Sequence, residues 1–210
     1  MELLGLILYL VYLTLAFGLR TVVQVRRTGS TGFHGVGGRP FSAEWLAGVG
    51  FVVAIVLGFS APVLALLDVV EPIDALNGHG AHIVGTVLAV AGIAATLYAQ
   101  VAMGTSWRIG VDPGERTELV TTGPFALVRN PIFAAMLPTA LGLVLLVPSW
   151  PALAGLAGLV IALELQVRVV EEPYLLRTHG AAYAEWASRT GRFLPGVGRL
   201  RVTSAGTTPR

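Results

Sequence analysis

The sequence predicts an all-α membrane protein, with about five transmembrane helices in one domain followed by a cytoplasmic amphipathic helix. Three observations predict it. Hydrophobic residues fill 54% of the 210 positions and charged residues only 12%, about half the charge share of an ordinary soluble domain. The mean hydropathy is +0.74. The apolar stretches are continuous, without the alternation a membrane barrel needs, and several reach the roughly 20 residues that cross a hydrocarbon core.

Span one is read from Leu3 to Val25. No basic segment precedes it and Arg20 falls within its far end, so it reads as a retained helix and not as a cleaved signal peptide. Span two is read from Trp45 to Val70 and span three from Ala81 to Met103. The apolar run from Ile132 to Val170 is too long for one crossing. Pro148-Ser149-Trp150-Pro151 reads as a tight turn within it, which yields a short span four, Pro131 to Val147, and a span five, Pro151 to Val170. Pro173 is then expected to break or kink the backbone. Beyond it Leu176, His179, Tyr183 and Trp186 recur at helical spacing, the pattern of a helix lying in the interface. Residues 1–201 form a single domain, and the polar tail 202–210 reads as disordered.

Charge sets the orientation. All 14 basic residues are arginine. With five spans, every arginine falls on one side, and Glu2, Asp68, Glu71 and Asp74 fall on the other. By the positive-inside rule the amino terminus is outside and the carboxyl terminus cytoplasmic, in the inner membrane. Cysteine is absent, which excludes disulfides, thiolate metal sites and cysteine nucleophiles. His34, His79, His82 and His179 are scattered, so no metal site is expected. Nothing resembles the internal repeat of a transporter.

The informative segment is polar, Met103 to Phe133, on the arginine-rich side. Within it, Asn130-Pro131 suits a helix start, since Asn caps well and Pro favours the first helical position. A helix start with Arg129 beside it can hold an anion, or Arg129 can simply snorkel to the surface. Gly104-Thr105-Ser106-Trp107-Arg108 directly follows span three. It is either a ligand-approaching turn or an ordinary turn with a topology arginine. Glu164, Arg168 and Glu171 share one helical face at i, i+4 and i+7. Glu164 falls inside the inner leaflet, where ionisable groups face a partner or a wet cavity. It therefore reads as a candidate general base, or as half of a structural pair with Arg168. If these elements converge, they enclose a chamber open to both the cytosol and the inner leaflet. That suits a polar cofactor from water and a lipophilic acceptor from the bilayer.

At these residues the chain resembles a known superfamily. Gly123 to Phe133 is similar to the G-P-Y/F-x-x-V-R-H-P-x-Y/F motif of the isoprenylcysteine carboxyl methyltransferase and phospholipid methyltransferase superfamily. Arg168 to Leu175 resembles its R-x-x-E-E-x-x-L, His179 to Trp186 its F-G-x-x-Y-x-x-Y, and Arg192-Phe193-Leu194-Pro195 its R-F-I-P. Gly104 to Arg108 resembles the G-x-S-W-R that often precedes them. The resemblance runs from Gly104 to Pro195, so 104–195 is the cofactor-binding half and 1–103 the N-terminal helices.

The resemblance implies a membrane enzyme using S-adenosylmethionine on the cytoplasmic side, with a lipophilic small molecule or lipid as acceptor. Glu171 and Glu172 would bind polar groups of the cofactor. Gly123, Pro124, Leu127, Val128, Asn130 and Pro131 would cradle it, and Arg129 would sit near the methyl-transfer centre. Arg108 and Arg168 are the candidate substrate-side cations. Asn130 stands where the family has histidine; it forms hydrogen bonds but does not titrate near neutrality. The acceptor group remains a carboxylate, an amine or a hydroxyl. The alternatives are an NADPH-dependent sterol-type reductase, which usually has more spans, and a non-enzymatic membrane scaffold. The arginine-only, Gly/Ala/Val-rich composition points to a GC-rich bacterial genome.

Overall fold

The computed structural model describes residues 1–33, 35–108, 110 and 118–201. His34, Arg116 and the polar tail 202–210, expected to be disordered, lie outside the described residues.

Helix α1 (Glu2–Leu13) runs through a π-helical turn, Thr14–Leu19, into α2 (Arg20–Thr28), which stops at Gly29 with φ 76°. The three form one apolar helix of 27 residues. Helix α3 (Ala43–Leu66) starts at Ser42, whose hydroxyl accepts a hydrogen bond from the Trp45 amide at 3.2 Å. It ends four residues before the expected Val70. Asp68 takes the left-handed conformation there, φ 54°, which a short polar side chain tolerates better than most. Helix α4 (His79–Met103) leads into the polar segment. Helix α5 (Pro131–Leu146) and helix α6 (Trp150–Leu165) are joined by the expected turn. Helix α7 (Glu172–Arg189) follows α6 through a second π-helical turn, Gln166–Glu171.

Four of these helical stretches are long and apolar enough to cross a membrane. Helix α5, with 16 residues, is about 24 Å long against a core of about 30 Å. Its buried residues, among them Ala135, Met136, Thr139 and Gly142, lie mainly on one face, and most of the rest are half-buried, with Leu141 exposed. Its neighbours therefore shield it, and its short length leaves little of it against lipid.

Two helix pairs make the bundle, α4 with α5 and α3 with α6. Lipid tails are as apolar as the side chains, so helix association in a bilayer depends on close backbone approach through small residues. A Cβ on Gly142 would meet the Ala89 nitrogen and the Gly85 oxygen at 2.5 Å, and one on Gly155 would meet the Gly58 nitrogen at 2.8 Å. Tyr12, Ala16, Ala54, Ile93, Met136, Leu159 and Leu163 form the core where the pairs meet.

The expected break at Pro173 is not there. The helix continues from Trp150 to Arg189, with Pro173 in the first turn of α7. A proline offers no amide and crowds the carbonyl four residues earlier. That carbonyl, on Val169, lies in the π-helical turn, where the register is already altered. The backbone departs from helical geometry at Gly180 instead (φ 53°, ψ −125°). After this kink Tyr183 and Ala187 turn inward and are buried, while Leu176 remains on the surface. The segment after Gly180 therefore packs one face against the protein and leaves Glu185 and Arg189 exposed on the other.

Candidate active site

Arg129 is the centre of a buried clasp. The segment before it is short and irregular because Gly123 opens a 3-10 turn (Gly123–Ala126) at φ 59°. Val128 then bridges Gly191 in parallel. The Arg129 amide donates to the Gly191 carbonyl at 2.8 Å and the Asn130 amide to the Arg192 carbonyl at 3.1 Å. The Arg129 guanidinium donates to the carbonyls of Ala187 (3.0 Å), Thr190 (2.5 Å) and Gly198 (3.0 Å), and to Glu172 Oε1 at 2.5 Å. Arg192 completes the clasp. Its Nε donates to Glu172 Oε1 at 2.8 Å and its second nitrogen to Oε2 at 2.9 Å. The Glu172 carboxylate holds Arg192 further into its protonated range. Two arginines on one carboxylate satisfy most of its acceptor sites, which makes a buried charge tolerable. Gly191 is required in this corner, because a Cβ there would meet the Leu194 oxygen at 2.0 Å.

A second anchor holds the loop after α4. Arg20 and Gln24, one turn apart, are buried on α2. Arg20 donates to the Gly104 carbonyl and Gln24 to the Thr105 carbonyl at 2.9 Å. The Arg20 guanidinium lies 5.0 Å from the centre of the Trp107 ring. In the sequence Arg20 reads only as a topology marker. Its i, i+4 spacing with Gln24 was the available signal.

Between the two anchors is a cavity of about 380 Å³, within the usual range for small-molecule sites. At one end it is lined by Trp107, Arg108, Glu118, Phe125, Asn130, Glu171, Tyr174 and Trp186. The other end is apolar, with Phe17, Phe51, Val52, Ile55, Val56 and Met136. Val52 and Val56 line it while 51% and 58% exposed on α3, so the apolar end opens toward an exposed apolar part of α3. Both π-helical turns contribute, through Phe17 in one and Gln166 and Glu171 in the other. Such turns recur at functional sites because they redirect side chains without ending the helix.

The structure sorts the sequence candidates. Arg129, Asn130, Pro131, Glu171 and Arg108 line the cavity, and the Arg108 guanidinium lies 4.9 Å from the Tyr174 ring centre. Glu172 is beside the cavity but is taken up by the clasp. Phe125 reaches the cavity, whereas Gly123, Pro124, Leu127 and Val128 do not line it; Leu127 is 66% exposed and Val128 is buried in the bridge. Glu164 and Arg168 form the expected pair, but on an exposed face outside the cavity lining. Leu163 and Gln166 line the cavity from that stretch instead. Asn130 precedes α5 as expected, yet its side chain does not cap the helix. Its Nδ2 donates to the Arg192 carbonyl at 3.3 Å, so the clasp has drawn it away.

Comparison with known proteins agrees with this geometry. Residues 80–182 match the phospholipid methyltransferase family, a span that takes in α4, the polar segment, the clasp arginine and the glutamate doublet. Over this stretch, just under half of its length, the chain is similar to that family of membrane methyltransferases. The match begins earlier than the motifs alone indicate, at the start of α4, and stops before Arg192. The chain is also 32% identical over 88 residues to the nickel-cobalt-cadmium resistance protein NccN of Alcaligenes xylosoxydans xylosoxydans. That alignment covers 42% of this chain and 41% of the relative, so the chain spans about two fifths of the relative's length. No solved structure matches.

Proposed function

We propose that this chain is a membrane methyltransferase that uses S-adenosylmethionine to methylate a lipophilic acceptor at the cytoplasmic leaflet of the inner membrane. The observation that carries this reading is the cavity, charged and aromatic at one end and opening toward an exposed apolar part of α3 at the other. The polar end suits the cofactor. Glu171 presents a carboxylate for an ammonium or for ribose hydroxyls, and Arg108 a guanidinium for a carboxylate. The first-turn amides of α5 after Pro131 offer free donors for an anion. Phe125, Tyr174 and Trp186 supply aromatic faces for a purine, and such faces also attract cations. When bound, the cofactor supplies an electrophilic methyl group for in-line displacement.

The chain's own residues then position and exclude. The clasp of Arg129, Glu172 and Arg192 fixes the wall that carries Asn130 against the one that carries Glu171. The apolar end admits the acceptor from the bilayer and keeps water out, so that polar interactions inside strengthen.

Titration calorimetry of the purified protein in nanodiscs, with S-adenosylmethionine and separately with NADPH, tests the reading. S-adenosylmethionine binds and NADPH does not. The reverse result would support the reductase alternative, and binding of neither would remove the enzyme altogether. Glu171→Gln keeps the fold but loses a charge-assisted contact, so cofactor affinity falls about tenfold or more while the unfolding temperature holds. Unchanged affinity would remove Glu171 from the site. Mass spectrometry of lipid extracts incubated with isotopically labelled donor then identifies the acceptor.

A further inference from the structure

The α1–α4 wall of the cavity carries three buried polar atoms: the Tyr12 and Thr96 hydroxyls, which have only each other at hand, and Gln100 Oε1, which has no hydrogen-bond partner among the described residues. All three residues line the cavity, and each is more than nine-tenths buried (7%, 1% and 3% exposed). Thr96 and Gln100 are one turn apart on α4, and Tyr12 faces Thr96 from α1. Gln100 is not free to turn. Its Nε2 donates at 2.8 Å to the carbonyl of Ala16, inside the first π-helical turn, and this fixes Oε1 as the unpaired atom. Hydrocarbon offers no hydrogen bonds to such groups, and buried polar atoms without partners call for an explanation.

We propose that Tyr12, Thr96 and Gln100 form a neutral hydrogen-bonding subsite that holds the hydroxyl or amine of the lipophilic ligand. Gln100 Oε1 can only accept, so the ligand must donate an O–H or N–H. The Tyr12–Thr96 hydroxyl pair keeps one O–H to donate in return. A carboxylate does not suit this wall, since a buried anion needs a paired charge and none of the three groups carries one. Arg20 is turned to Gly104 and Gln24, and Arg129 is held in the clasp. The subsite narrows the acceptor class and depends on the methyltransferase reading only for the reaction that follows.

The test is binding, not turnover. The protein in nanodiscs is titrated calorimetrically with 4-nonylphenol, nonylbenzene and 4-nonylbenzoate, with empty nanodiscs subtracted. The phenol binds about tenfold tighter than the hydrocarbon or the carboxylate. Tyr12→Phe and Thr96→Val preserve shape; each weakens phenol binding severalfold, and together they leave only the preference that Gln100 Oε1 supports by itself. Equal affinity of the wild type for all three probes, a preference for the benzoate, or a phenol affinity unchanged by the double substitution would each overturn the proposal. S-adenosylmethionine titrated against the same proteins separates the two claims. Its failure to bind the wild type removes the enzyme but not the subsite, and loss of the phenol preference alone removes the subsite but not the enzyme.

Discussion

Among the described residues Arg129 makes five hydrogen bonds through its backbone and side chain, and its guanidinium alone ties together Ala187, Thr190, Gly198 and Glu172. Its family motif marks a residue near the reaction, but its geometry makes it a positioning residue first. Removing it takes from the Glu172 carboxylate one of its two arginines and strands three carbonyls in a buried corner. Breaking one partner of a buried ion pair typically destabilises by 3–5 kcal/mol, roughly. Arg129→Ala therefore lowers the unfolding temperature in nanodiscs by far more than Glu171→Gln does. Arg129→Lys recovers little, because a single ammonium cannot span Ala187, Thr190, Gly198 and Glu172. A folded Arg129→Ala protein with wild-type thermal stability would show that the clasp is not structural. The glutamate doublet divides the same way, with Glu172 bound to two arginines and Glu171 left facing the cavity. Two adjacent glutamates look equivalent in sequence. They differ because successive helical residues point about 100° apart, and only the packing around α7 decides which of them meets the clasp.

At the scale of elements, much of the architecture could be read directly from the residues. Continuous hydrophobicity located the four long apolar helical stretches and the shorter α5, and Pro148-Ser149-Trp150-Pro151 separated α5 from α6. The i, i+4 pairing of Glu164 with Arg168 was also legible. Its direction was not, because periodicity identifies a face without saying what that face meets. The π-helical turns were equally hidden. They arise where tertiary contacts compensate an altered hydrogen-bond register, as Gln100 does for Ala16, and no local motif encodes that. Small residues were plentiful throughout, with 26 glycines in all, so which of them sit at helix crossings needed the structure. Gly142 is one. Ala in its place would press into the backbone of α4 at Ala89 and Gly85, where no side chain can rotate away. Overpacking of this kind costs about 1–3 kcal/mol. Gly142→Ala should lower thermal stability accordingly, whereas Gly18→Ala, which meets nothing, should not. Equal unfolding temperatures for the two would mean that α4 and α5 do not cross as closely as described.

Across the whole molecule, the arrangement is polarised. The clasp, the loop after α4 and the charged end of the cavity share one end of the bundle. The two loops at the opposite end meet where the Ile73 amide donates to the Pro148 carbonyl at 2.8 Å. The proposed orientation, which rests on the positive-inside rule, puts the first end in the cytosol, where a water-soluble methyl donor would have to enter. The orientation is open to a direct test because the chain has no cysteine. Asp74→Cys and Arg177→Cys each place one thiol on an exposed position, in the loop between α3 and α4 and on α7 respectively. In intact spheroplasts a membrane-impermeant maleimide should label the Asp74→Cys protein at once. It should label the Arg177→Cys protein only after permeabilisation. The reverse pattern would put the charged end of the cavity outside, away from any cytosolic donor, and the proposed reaction could not run in this orientation. Equal labelling of both before permeabilisation would mean that these two positions lie on the same side, which five crossings do not allow.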